Sequence, residues 1–201
     1  MMVKGNDKGG AFERAMAKKL SLWITHGEDR TQLIRSKSSG GWGSNVGDEK
    51  WRQLADLAPN GKDGERFRKL FGVECKHRKD LTWWCLFTQK ANPDTNITGF
   101  WEKLCAEVEE SSIPQVPMLL VRFNYRPLLA GFPGTFVEGL PGVGSILSLS
   151  WGEDASSGEF MPPSGQGWEV SFVQVDELLN IPPEHVFEIA ARYLTLTGGS
   201  P

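Results

Sequence analysis

The sequence lacks the features that would place the protein in an oxidising compartment or a membrane. Its three cysteines, Cys75, Cys85 and Cys105, are odd in number, widely spaced and form no CxxC pair. That pattern excludes a disulfide framework and a thiolate zinc site, and is expected of reduced, mostly buried thiols. No apolar run approaches the length of a membrane span. Met1 to Asp7 is polar and contains no apolar stretch leading to a cleavage site, so no secretion signal is read and the expected location is the cytoplasm. Internal repeats and low-complexity tracts are missing too, which excludes a solenoid or a biased tail.

What remains is a chain of 201 residues, long enough for one domain with a sizeable core and a decorated C-terminal part. The formal net charge of −3 hides an asymmetry. Residues 1–80 hold 17 Lys and Arg against 11 Asp and Glu, whereas residues 81–201 hold 5 against 14. A basic half predicts a polyanionic partner.

In chain order, residues 1–9 are rich in Gly, Lys and Asp and are expected to be flexible. From Gly10, Phe12, Met16, Leu20 and Trp23 recur with helical spacing and give one apolar stripe. Thr25-His26-Gly27 supplies a stop, with Gly27 suited to the left-handed position. Glu13 lies off the stripe, where a plain dipole partner would also sit. Thr31 to Arg35 predicts a short strand. It enters a Ser, Gly and Lys loop, Ser36 to Ser44, whose Arg35, Lys37, Ser38 and Ser39 could approach phosphates.

Residues 45–70 are ambiguous. Asn60-Gly61-Lys62-Asp63-Gly64 is strong turn chemistry, so Leu54 to Pro59 and a strand starting near Phe67 are expected to form a hairpin. Phe71 to His77 reads as a strand with two faces: Phe71, Val73 and Cys75 on a core face, Glu74 and Lys76 on the opposite one. The hairpin would bring Asp56 beside Glu74; Asp48 would need a longer path. Leu81 to Phe87 is aromatic, with Trp83 and Trp84 read as core or dimer contacts in preference to base stacking. Ile97 to Ser111 predicts a helix with Ile97, Phe100, Trp101, Leu104, Cys105 and Val108 buried, ended by Pro114 and Pro117. Met118 to Phe123 predicts a strand buried on both faces, with Arg122, Asn124 and Arg126 clustered at its end. Gly131 to Gly144 looks turn-like, 145–151 and 168–175 look like strands around a polar loop, and Glu184 to Leu194 predicts a last helix.

Asp56, Glu74 and Lys76, with Gly72-Val73-Glu74-Cys75-Lys76-His77 as the motif strand, resemble the PD-(D/E)XK nuclease superfamily, above all its phage-encoded and Holliday-junction-resolvase-like members. The helix bearing Phe12-Glu13-Arg14 resembles the first helix of that group, where an acid often completes the site. The order helix, strand, Asp strand, Glu-x-Lys strand, helix, strand agrees as well. Asp56 follows Ala55 where the family name has Pro, and the choice between Asp56 and Asp48 stays open.

The resemblance implies an α/β, restriction-endonuclease-like core over residues 10–130, a central mixed sheet flanked by helices, and a C-terminal α+β extension over 131–201 packed on it. It implies a metal-dependent endonuclease hydrolysing phosphodiester bonds of duplex or branched DNA, phage-encoded and acting in the bacterial host, with a homodimer expected of a resolvase. Catalytic roles fall on Glu13, Asp56, Glu74 and Lys76. Asp56 and Glu74 would hold the ion, with the backbone carbonyl of Cys75 implied as a further ligand and Glu13 as an additional one. Hard oxygen donors without imidazole or thiolate clusters favour Mg²⁺ or Mn²⁺. Lys76, beside two acids, is expected to be charged and to orient the attacking water. Arg35, Lys37, Ser38, Ser39, Arg78 and Lys79 are the candidate DNA contacts, and His77 is read as supporting. The alternative is a nuclease-fold module that binds or assembles on DNA without cutting it.

Overall fold

The computed structural model describes residues 5–36, 55–77, 96–111, 113–124, 126–151 and 168–198. Among them no helix is long and apolar enough to cross a membrane. The first described element is helix α1 (Gly5–Ile24), which begins seven residues ahead of Phe12, the first residue of the apolar stripe, and takes in residues 5–9, expected to be flexible. Phe12, Met16, Leu20 and Trp23 are all buried as that stripe requires. The stop is where it was expected, with one shift: His26 takes the left-handed position at φ 52°, and Gly27 follows at φ 91°.

Strand β1 (Leu33–Arg35) pairs antiparallel with β2 (Leu57–Pro59) as a separate two-stranded ribbon. The expected hairpin between residues 56 and 67 does not form. Asn60 to Gly64 instead starts helix α2 (Lys62–Leu70), which leads directly into β3 (Phe71–Lys76). The helix wins for local reasons. Gly64, Phe67 and Arg68 fall on one buried face, Asp63 and Glu65 occupy the first turn, and Arg68 and Lys69 the last, each complementing the helix dipole. Its cap residue, Gly61, has no side chain to offer. Gln32 replaces it from across the ribbon, its Oε1 accepting from Asp63 N at 3.0 Å and Gly64 N at 3.3 Å. Gln32→Ala should therefore destabilise the fold by about 1 kcal/mol, the loss typical of a helix cap. Chemical denaturation checks this, and an unchanged midpoint would remove the cap from the account.

Helix α3 (Ile97–Glu109) buries Ile97, Phe100, Trp101 and Leu104 of the predicted stripe, whereas Cys105 and Val108 are only half-buried at its edge; it is capped by Asn96, whose side chain accepts from Gly99 N at 2.6 Å. It crosses to β4 (Val116–Arg122), parallel to β3. Pro117 lies inside β4, opposite Gly72, and does not serve as a terminator of α3. The turn-like reading of 131–144 also gives way. The end of strand β5 (Leu128–Phe132) and the short helix α4 (Gly134–Glu138) occupy its first half, because Phe132, Phe136 and Val137 find core to enter; the turns expected there are confined to residues 139–142.

Strands β6 (Leu147–Trp151) and β7 (Trp168–Gln174) then complete one mixed five-stranded sheet of order β3-β4-β5-β7-β6. Residue 130 thus falls inside a strand, and residues beyond it share the sheet that carries the Glu-x-Lys motif. Helices α5 (Val175–Leu178) and α6 (Pro183–Leu196) close the chain. One face of the sheet, with Phe71, Val73, Cys75, Met118, Leu120, Ala130 and Phe132, packs on α1, α2, α4 and α6. The other, with Leu119, Val121, Leu129 and Phe172, packs on α3. β3 forms one edge of this sheet, and the site develops along that edge.

Candidate active site

Strand alternation sends Phe71, Val73 and Cys75 into the larger core and leaves Glu74 and Lys76 on the α3 side. That second face is not a wet one. Glu74 is 8% exposed, and Lys76 is half-buried beneath α3. The Lys76 ammonium hydrogen-bonds the Glu74 carboxylate and lies 5.1 Å from the centre of the Phe100 ring. The sequence marks Phe100 only as part of a buried stripe; its place under the ammonium depends on how α3 crosses β3.

Asp56 reaches the site by a different route from the one expected. It precedes β2 and is pinned by its backbone on two sides: Ser36 N donates to its carbonyl at 2.7 Å, and its own N–H donates to Val73 O at 2.9 Å. Its Oδ2 accepts from Cys75 N at 2.8 Å. The residue therefore joins the β1–β2 ribbon to the free edge of β3. In a strand the N–H and C=O of one residue point to the same side. The Cys75 carbonyl accordingly faces the edge where Asp56 sits.

Ala55, just before it, holds φ 63°, a left-handed conformation uncommon for a residue with a Cβ. Proline, locked near −65°, could not adopt it. The missing family proline has a physical reason in this chain.

Glu13 arrives from α1 and is 8% exposed; its Oε2 accepts from Arg35 Nε at the end of β1. Nearby, the Phe12 and His77 rings meet edge to face at 5.4 Å. Glu13, Asp56, Glu74 and Lys76 thus come from α1, the segment before β2, and β3 to one place. Lys37, Ser38, Ser39, Asp48, Trp83, Trp84, Arg78 and Lys79 lie outside the described residues.

The electrostatics follow from crowding acids in a recess. Burial, then the charge of Glu74 and more weakly that of Glu13, push the Asp56 carboxyl up to about 8, against the pull of the Cys75 N–H and Lys76. Burial pulls the Lys76 ammonium down, but the charge and hydrogen bond of Glu74 and the charge of Asp56 outweigh it and leave Lys76 more firmly protonated than usual. Glu107 on α3 is raised by burial and by the charge of Glu74, so the acidic field extends to that helix.

A hard cation fits this chemistry. The donors are carboxylates and a carbonyl with no imidazole or thiolate among them, and burial, with the neighbouring charge of Glu74, raises the Asp56 carboxyl in a way that a bound cation would relieve. Among the described residues no three His, Cys, Asp or Glu side chains are gathered closely enough to hold an ion as they stand. Water would have to complete the set, as is usual for Mg²⁺.

Comparison with known proteins agrees with the family resemblance. A family model described as "Phage putative PDDEXK endonuclease" matches residues 4–141, from α1 through α4. No curated protein and no solved structure matches the chain.

Proposed function

The chain belongs to the phage PDDEXK endonuclease family, and from that premise we propose a Mg²⁺- or Mn²⁺-dependent endonuclease that hydrolyses phosphodiester bonds in DNA. The observation carrying this reading is the convergence of Asp56, Glu74 and Lys76 at the edge of β3, with the Asp56 carboxylate on the Cys75 N–H. Asp56 and Glu74 bind the ion, with the Cys75 carbonyl facing the same edge. When bound, the cation supplies Lewis-acid stabilisation of charge on the scissile phosphate and acidifies water. Lys76, held protonated by two acids, orients the nucleophilic water and offsets charge in the transition state. It is not a free base. Glu13 lines the site from α1, and Arg35, bonded to it, is assigned to the DNA backbone.

Branched substrates and a resolvase-like dimer that cuts two strands are the finer form of this proposal, and rest on family analogy. A DNA-binding module that does not cut is the second reading.

The deciding experiment incubates the protein with labelled duplex, single-stranded, flap and four-way-junction DNA in Mg²⁺, Mn²⁺ or EDTA. Cleavage only with metal supports the endonuclease, and the preferred substrate separates a resolvase from a general nuclease. DNA bound but intact in both metals selects the second reading.

Asp56 gives the site a pH signature. Its ordinary value is 3.8 and its folded value about 8. Between the two it is protonated in the folded protein and ionised in the unfolded chain. The metal-free fold is therefore expected to lose stability as pH rises through that window. A cation must displace the same proton, so its affinity should rise with pH up to about 8 and then level off. Titration calorimetry in buffers of different ionisation enthalpy should show proton release at pH 6.5 that fades above pH 8. Affinity independent of pH across that range would contradict the assignment of Asp56 as a ligand.

A further inference from the structure

We infer that β6, the far edge of the sheet, pairs antiparallel with the β6 of a second copy of this chain, joining two five-stranded sheets across a twofold axis. The inference deepens the endonuclease reading by fixing where the two sites of a dimer lie, and the interface itself stands apart from the chemistry.

The two edges of the sheet differ. Along β3 the segment before β2 takes up the edge, where Asp56 N donates to Val73 O and its Oδ2 accepts from Cys75 N. β6 ends the sheet on the other side and, among the described residues, pairs only with β7. Such a strand presents a row of backbone donors and acceptors to any second strand, and proteins ordinarily blunt it with charges, proline or a bulge. Residues 142–151 contain no charged residue and no proline. Ile146, just before β6, is 45% exposed, and Ser148 and Ser150 are exposed as well.

The pattern of β6 is complementary to itself. Leu147 and Leu149 are half-buried against the core that contains Val170 and Phe172, and the serines between them face the other way. Pairing about a twofold axis at Leu149 sets Leu149 against its own copy, Ser148 against Ser150, and position 147 against 151. Every apolar residue of the strand then stands opposite an apolar residue and every serine opposite a serine. The core face of one sheet runs on into the core face of the next. The hydroxyl row formed by Ser145, Ser148 and Ser171, at 3.0 and 2.7 Å, borders the join on the opposite face. Neither copy of the strand brings a charge, so nothing repels in this register, and a charged strand of another protein would gain no ion pair from it. A contact closed by a twofold axis stops at two copies. In that dimer the β3 edges lie at the outer ends of ten strands, five from each copy. Neighbouring strands are about 4.8 Å apart, which puts the two sites roughly 40 Å from each other. One turn of duplex is about 34 Å, so the two sites serve separate arms or positions over a turn apart, and not opposed strands at one point.

The test is sedimentation velocity of the full chain, without DNA or metal, from about 1 to about 200 μM, a range suited to a contact at the small end of stable interfaces. Wild type should pass from monomer to dimer as concentration rises. Leu149→Lys sets two like charges face to face at the axis and should stay monomeric, as should Leu149→Glu. An equimolar mixture of the two should restore the dimer, which only folded strands can do. Ser148→Lys combined with Ser150→Lys carries the same repulsion at exposed positions, away from the core, and should also be monomeric. Glu188→Lys, on the exposed side of α6, should leave the dimer unchanged.

A wild type that is monomeric throughout, or that grows beyond two copies, would overturn the inference. A dimer that survives both Leu149→Lys and the double serine variant forms elsewhere on the surface and overturns it too. A monomeric protein that cleaves DNA with metal would refute the interface and leave the endonuclease standing. A dimer that depends on β6 but never cleaves DNA would refute the endonuclease and leave the interface.

Discussion

Glu74→Gln is expected to lower metal-dependent DNA cleavage between about a hundredfold and ten-thousandfold, the range found when a group acting directly on the reacting centre is removed. Glutamine is chosen because Glu74 is buried and bonded to the Lys76 ammonium. Truncation to alanine would leave that ammonium in the recess without its partner, at a cost of about 3–5 kcal/mol, and would confuse loss of chemistry with loss of fold. The amide keeps the shape and can still accept from Lys76 while removing the negative charge a cation requires. Thermal unfolding and DNA affinity in EDTA should stay close to wild type, and metal uptake by calorimetry should fall with cleavage. Lys76→Met should also lose cleavage, but should retain metal, because it removes the donor and not a ligand. Cleavage that survives both substitutions would place the active site elsewhere.

The parts of this site legible in the sequence were those written in strand and helix periods. Phe71 to Lys76 alternates cleanly, so the two faces of β3 could be read from residue type, and the apolar stripe of α1 put Glu13 on a definable helix. Asp56 could be named but its route could not. Its position depends on Ala55 at φ 63° and on backbone bonds to Ser36 and Val73, none of which leaves a trace in composition or spacing. The turn signal at Asn60 to Gly64 was real, yet it began a helix. Turn residues and helix starts share Asn, Gly and Asp, and the deciding cap came from Gln32, distant in sequence. Residue 130, where a Gly and Pro rich stretch begins, lies inside β5 (Leu128–Phe132). Gly131 looked like punctuation, whereas a Cβ there would meet Phe172 at 2.8 Å, so the glycine permits packing inside the sheet.

Gly64 supports the site by its lack of a side chain, and Gly64→Val is expected to destabilise the fold by about 3 kcal/mol or more, toward the upper end for forced overpacking. A Cβ at this position would stand 1.9 Å from the Gln32 carbonyl oxygen. That oxygen is backbone and already accepts from Asn60 N at 2.8 Å, so it cannot retreat without breaking the β1–β2 connection. The helix would have to move instead. Phe67 on α2 stacks on Phe71 at 5.0 Å and meets Trp23 edge to face at 6.5 Å, so displacing α2 opens the core beneath β3. β2 follows Asp56 directly and β3 carries Glu74, which means that α2 sets the spacing between the two carboxylates. Cleavage in Gly64→Val should fall in the fraction that remains folded, not only in proportion to unfolding. Gly144→Ala is the matched control: a Cβ there meets nothing within 4 Å, so its stability should stay within about 0.5 kcal/mol of wild type. Denaturant midpoints for both variants, with cleavage measured well below the Gly64→Val transition, separate the effects. A Gly64→Val protein as stable as wild type would mean that α2 can slide, and that the carboxylate spacing is set by Asp56's own backbone bonds alone.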